Sequence, residues 1–397
     1  MEDCIDLASA LSGDLDVPDA LKLYETTRRP TVKKVQSAAQ TSLEWFENTE
    51  QYLSLEPLQF TYSLLTRSLR VTHENLRRRD PDFVAEVEDA YFDGQPPVFY
   101  PFETDAGPLN NRFVAQAPLP ADGECFYDFS SAKQMYQLAP LLQSGAALVV
   151  LPRFALSDWA NAERFDNFLS LLASVHSTSG ATCSASLFWD TNAGSKFQPL
   201  DVLATEAWMR KIASTGVECV ELDLSEHKGC GQMSQGGLNE DSYQKSSQPV
   251  VNTAALLRKT HKGLLSVRVS LKDWRVSVEK NLKTMSKFIG SLEASGVNLF
   301  SITSTNHPHK GQRLYQAELA DQIKSTTQAN VMVEGGLDSL DDMNSLVAAG
   351  RADLVRLEEA LWYNSSFIRL ASKRHRVPGE FPDHLKALSG YTPRSFS

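Results

Sequence analysis

The sequence contains no CxxC pair, no apolar run of about 18 residues, and no surplus of basic charge. Its five cysteines, Cys4, Cys125, Cys183, Cys219 and Cys230, are scattered. Neither a disulfide framework nor a structural zinc site is indicated, no metal ligand set is assigned, and buried thiols in a reducing compartment are the expected state. Without a membrane-length apolar stretch, or a charged-then-apolar pattern at its start, the chain reads as cytoplasmic. Asp and Glu number 49 against 39 Lys and Arg, giving a net charge of −10. Nucleic acid is therefore not an expected partner, because phosphate backbones are bound by a cationic surplus.

What is present is the composition of a globular protein, with 42% apolar and 22% charged residues over 397 positions. That length holds one large domain of about 250 residues and a smaller one. Residues 1–92 read as helical throughout. Ile5, Ala8 and Leu11 share one helical face before Gly13. After Val17-Pro18, a long pattern runs through Leu21, Tyr24, Val32, Val35, Ala39, Leu43 and Phe46, with a break or kink expected at Pro30. One further helix is expected from Pro57 to Arg79, with His73, Glu74 and the arginine run on a solvated face.

From Pro96 onward the pattern changes, and residues 93–397 read as a second domain. Eight apolar runs alternate with helical segments: Phe113 to Pro118, Ala147 to Leu151, Ala181 to Leu187, Cys219 to Leu224, Leu264 to Val269, Leu299 to Thr303, Asn330 to Glu334, and Leu354 to Leu357. Eight strands over about 280 residues predict an α/β fold, a (β/α)8 TIM barrel preceded by an all-helical N-terminal segment. The active site of such a barrel lies where the strands end. Gly335-Gly336, between a strand and a helix, is a pattern that can cradle a phosphate with backbone N–H groups.

Several phrases resemble known families. PPVFYPFETDAGPLNNRFVAQAPL, with Asn111-Arg112, LSVRVSLKDW, with Arg268, and LVAAGRADLVRL resemble the first, fifth and last strand regions of Old Yellow Enzyme-type barrels. MEDCIDLASAL and LYETTRRP resemble the final helices of FAD-dependent aromatic monooxygenases. SLEWFENTE and LLTRSLRVTHENLRRRDPDFV resemble the linker of bifunctional aromatic acyl-CoA monooxygenase/reductases of the 2-aminobenzoyl-CoA and salicylyl-CoA 5-hydroxylase type. The resemblance implies FMN in the barrel, an aromatic acyl-CoA ligand, and an FAD-dependent monooxygenase subunit docking on the helical N-terminus. FAD itself is not expected on this chain alone, because the GxGxxG of the dinucleotide-binding body is absent.

Carried onto this sequence, the flavin contacts fall on Pro118 and Leu119 after the first strand, Ser184 on the third, Arg268 on the fifth, and Gly335-Gly336 after the seventh. The Arg268 fork would face the flavin N1–C2=O edge, where charge develops on reduction. The rest of the pattern departs. The Ser/Thr-Pro-Met turn reads Ala117-Pro118-Leu119, and the Gly-Arg that completes the phosphate site reads Glu358-Glu359. At about 5 Å and an effective dielectric of about 20, each acid would oppose each phosphate charge by roughly 3 kcal/mol. His227, Tyr127 and Tyr243 are the candidate proton donors, since the usual acid positions have changed. Arg153 and Lys310 are candidates to pair with an acyl-CoA or phosphate anion. Three readings follow: a divergent flavin reductase with a degraded FMN site, a non-catalytic scaffold for a separate FAD monooxygenase, and a flavin-free ligand-binding barrel.

Overall fold

The computed structural model describes residues 2–118, 132–156, 158, 161–178, 181–189, 202–225, 240–270, 278–304, 313–327 and 329–377. The strands are β1 (Phe113–Gln116), β2 (Leu148–Val150), β3 (Thr182–Phe188), β4 (Cys219–Leu224), β5 (Leu264–Ser270), β6 (Leu299–Thr303), β7 (Asn330–Val333) and β8 (Leu354–Leu357). All neighbours are parallel. The sheet closes because β1 pairs with both β2 and β8, with Val114 opposite Leu148 and Arg356, while β2 continues onto β3. A two-residue extension of the second stave, Phe154–Ala155, pairs with Leu187 and Phe188. The result is a closed eight-stranded α/β barrel with an all-helical segment before it.

The amino-acid pattern explains both faces of each strand. Outward residues such as Val149, Ala185, Val220, Val267, Phe300, Val331 and Val355 join the main core beneath the helices. Inward residues form layers two positions apart. The floor is apolar, with Val114, Leu148, Cys219, Leu264, Leu299, Met332 and Leu354, and Leu109 of the Phe102–Leu109 bridge packs against it. Two residues further along the same strands come Gln116, Glu221, Ser266, Ser301, Glu334 and Arg356, all buried. Two more bring Asp223, Arg268, Thr303 and Glu358 to the mouth. Polar residues therefore fill the upper half of the barrel.

The N-terminal segment consists of α1 (Glu2–Leu11), α2 (Val17–Glu47), α3 (Pro57–Thr66), α4 (His73–Arg79) and α5 (Pro81–Phe92). The break expected at Pro30 does not occur: α2 runs through it. Pro30 is exposed, so water can satisfy the carbonyl its missing N–H leaves unpaired. The single helix expected from Pro57 to Arg79 is two helices. Leu69 takes a left-handed φ of 56° between them, and the Thr72 side chain caps α4 by accepting from Asn75 N–H.

His73 is the larger correction, because it lies buried rather than on a solvated face. Its Nδ1 is 2.7 Å from the Tyr62 hydroxyl and its Nε2 is 3.0 Å from Glu88, which also accepts from Arg77 at 2.6 Å. Tertiary docking buries this face. The barrel helices are α6 (Ala132–Leu142), α7 (Ala162–Thr178), α8 (Val202–Ser214), α9 (Glu240–Thr260), α10 (Val278–Ala294), α11 (Ala317–Thr326) and α12 (Leu340–Ala348), and two short helices, α13 (Glu359–Tyr363) and α14 (Phe367–Arg374), follow β8. His73 N–H donates to Ser345 Oγ of α12 at 2.7 Å, and Tyr52 Oη donates to Asp321 of α11 at 2.9 Å. By contrast, α1, α2 and the turn between them leave Ile5, Leu11, Leu15, Val17, Leu21, Leu23 and Val35 exposed.

Candidate functional site

The mouth of the barrel carries an interlocked set of charges. Arg356, on β8, is 1% exposed and makes a bidentate pair with Glu221 of β4 at 2.6 and 3.1 Å. It also donates to Gln116 of β1 and lies 3.5 Å from Glu334, just beyond β7. Arg268, on β5, donates to Glu334 at 2.8 Å and to Glu358 at 3.2 Å, with Asp223 at 3.7 Å. Arg153 lies 3.8 Å from Asp223 and stacks over the Phe188 ring at 4.0 Å. Among the described residues, the guanidiniums Arg153, Arg268 and Arg356 are set against the carboxyls Glu221, Asp223, Glu334 and Glu358.

The acid–base balance follows from that geometry. Burial alone would push Asp223 and Glu334 up, yet both carboxyls sit below the usual range because Arg268 faces both, joined by Arg153 at Asp223 and Arg356 at Glu334. Burial opposes the Arg268 charge as well, but Glu334, Asp223 and Glu358 raise its proton affinity well above the ordinary value. Glu358 moves the other way. Burial and the neighbouring Glu334 push its carboxyl up, although its side chain is 28% exposed.

Gly335 and Gly336 do adopt left-handed backbone, with φ of 85° and 68°. The space in front of Gly335 is filled from within the chain, however. A Cβ there would lie 2.6 Å from Tyr315 Cζ and 2.9 Å from its hydroxyl oxygen. Leu314 N–H donates to the Gly336 carbonyl at 3.1 Å, fixing the segment that carries Tyr315 over the glycines. Burial and Glu334 push the Tyr315 phenol up to about 12.

The other expected contacts lie apart from this network. Pro118 is exposed just past β1, and Ser184 is fully buried on β3. Leu119, Tyr127, His227 and Lys310 fall outside the described residues, and Tyr243 lies on α9 with its side chain outside them. Among the described residues, no group of three or more His, Cys, Asp or Glu could hold a metal ion, and no helix is long and apolar enough to cross a membrane. Glu221, Glu334, Arg356 and Tyr315 were not expected at the site. The signal available for the first three was charge inside otherwise apolar strands, as in VELDL and LVRL.

This closed barrel has the fold of Old Yellow Enzyme-like barrels. It superposes on an old yellow enzyme homologue from Zymomonas mobilis with a TM-score of 0.52 and 13% identity, covering 75% of this chain and 97% of that one. It also superposes on 2-naphthoyl-CoA reductase in complex with 2-naphthoyl-CoA, with a TM-score of 0.55 and 14% identity over 70% of this chain and 52% of that one. In sequence, the chain is similar to salicyloyl-CoA 5-hydroxylase from Streptomyces sp., 35% identical over 116 residues, which is 28% of this chain and 20% of the hydroxylase. The chain thus spans about a fifth of the curated relative it matches and about half of the naphthoyl-CoA reductase. No family model matches.

Proposed function

We propose that this protein is a flavin-free barrel serving an aromatic acyl-CoA monooxygenase/reductase system, with its exposed N-terminal helices docking on an FAD-dependent monooxygenase body. The observation that carries this reading is the occupancy of Arg268. A flavin N1–C2=O edge would have to share the guanidinium with carboxyls already set against it: one terminal nitrogen is shared between Glu334 at 2.8 Å and Glu358 at 3.2 Å, and Asp223 lies 3.7 Å from the other. Tyr315 covers Gly335, and Glu358-Glu359 would repel a phosphate at the same end of the barrel. The residues present do not fit FMN, and no hydride-transfer step is assigned through it. The relatives named for CoA thioesters support aromatic acyl-CoA as the compound class. The exposed apolar residues of α1 and α2 support a docked partner.

Absorption spectroscopy of the purified full-length chain tests the reading. The expected preparation is colourless and takes up no FMN at about 100 μM, a concentration that detects binding stronger than about −5.5 kcal/mol. Co-eluting absorbance near 450 nm that NADPH bleaches would instead establish a flavin reductase, the function suggested by the fold alone.

A further inference from the structure

The start of α2 is packed against α1, where Arg28 pairs with Glu2 at 2.8 Å and with Asp6 at 3.4 Å. Beyond that contact, Val32, Val35, Ala39, Leu43 and Phe46 recur at intervals of three and four and line one stripe of the helix, about 21 Å long. Val35, Leu43 and Phe46 are each about half exposed, and Ala39 is exposed between them. The attachment of α2 to the rest of the chain lies elsewhere on the helix. Trp45 is buried on the α3 side, where its Nε1 donates to Ser63 Oγ at 3.1 Å. Arg67, at the end of α3, donates to Ser42 Oγ at 2.8 Å and lies over the Phe46 ring at 4.9 Å, which fixes the end of the stripe in place.

Apolar residues at alternating intervals of three and four fit a second helix packed side by side. The flanking charges decide which helix. Arg29 and Lys33 flank the start of the stripe and Glu47 flanks its end on the same side, all three exposed. An identical helix running antiparallel brings the basic end of one copy to the acidic end of the other, whereas a parallel copy sets like charges side by side. We infer that the stripe is covered by α2 of a second copy of this chain, packed antiparallel about a two-fold axis at Ala39. In that register Val32 meets Phe46 of the second copy, Val35 meets Leu43, Ala39 meets its own counterpart, and Glu47 falls between Arg29 and Lys33. The small side chain at the axis lets the helices approach to the usual separation of about 8–10 Å. Arg29 pairs with Glu25 one turn back at 3.2 Å, but both are well exposed, so that contact is exchanged at little cost. This dimer contact is separate from the docking of a monooxygenase body, for which Ile5, Leu11 and Leu21 remain exposed on α1 and the start of α2.

Sedimentation velocity of the full-length chain, between about 1 and 100 μM, tests the pairing. The expected species has twice the 44.0 kDa mass of one chain. Leu43→Glu, at a half-exposed site, should weaken the dimer at least about tenfold while leaving the circular dichroism spectrum unchanged. Glu47→Lys should weaken it about tenfold, because the two-fold axis applies each change twice, and the pair Arg29→Glu, Lys33→Glu should do the same. Carrying all three charge reversals in one chain should restore wild-type association. A wild-type chain that is monomeric at about 100 μM, or a dimer indifferent to Leu43→Glu, would overturn the second copy as the occupant. A triple variant that associates no more tightly than Glu47→Lys would overturn the antiparallel pairing.

Discussion

Replacing Arg356 by Leu is the sharpest probe of the barrel interior. The guanidinium is 1% exposed, and Glu221, its bidentate partner, is fully buried. In the variant, Glu221 keeps, among the described residues, only the Ser186 hydroxyl at 3.3 Å, and Glu334 keeps Arg268 but loses its second cation. Removing one member of a buried pair costs about 3–5 kcal/mol, mostly because the remaining charge stays dehydrated and uncompensated. With a urea dependence of about 3 kcal/mol/M, the unfolding midpoint should drop by about 1–1.7 M. Far-UV circular dichroism in a urea series measures this directly. The double variant Arg356→Leu, Glu221→Leu removes both charges and should recover at least about 2 kcal/mol of the loss. A single variant within about 1 kcal/mol of wild type, or a double variant as unstable as the sum of both singles, would refute the account of this pair as a mutually dependent buried unit.

Two further substitutions address positions where the structure departs from a local reading of the sequence. His73→Phe strips hydrogen-bond partners from the Tyr62 hydroxyl and Glu88, and should cost about 2–4 kcal/mol in thermal unfolding, whereas a residue on a solvated face would tolerate the change within about 0.5 kcal/mol. Gly335→Ala meets both a left-handed backbone and the Tyr315 ring, and should cost about 1–3 kcal/mol; introduced into a Tyr315→Ala background, it should cost measurably less, because only the backbone component remains.

The barrel was legible because parallel strands covered on both faces read as short apolar runs at a regular spacing. Every expected run overlaps its strand, with ends shifted by no more than two residues. The N-terminal segment was legible only in its helical content. Nothing in the periodicity of residues 57–79 marks the turn at Leu69, which is held by the Thr72 cap and by the bond from His73 N–H to Ser345 of α12, 272 positions away. At Pro30 the helix does not break, since exposure rather than sequence decides whether the freed carbonyl matters.

At the mouth, the position of Arg268 at a strand end was readable, but its partners were not. Glu334 and Glu358 lie 66 and 90 positions away and meet it only because the sheet closes. The acids of VELDL alternate as they would on a half-solvated strand, and only closure turns that alternation inward. Tyr315 offered no local signal, because its role depends on the absence of a side chain at Gly335, which is on a different loop.

Arg356 also constrains the order in which the molecule assembles. It sits on the final strand, while Glu221 and Gln116 lie 135 and 240 positions earlier in the chain. No partial barrel lacking β8 can form these bonds, so Glu221 lacks its guanidinium partner while the earlier strands gather. Dehydration of the lumen is therefore coupled to insertion of the last stave, which makes closure a long-range step in a fold already slow for its contact order.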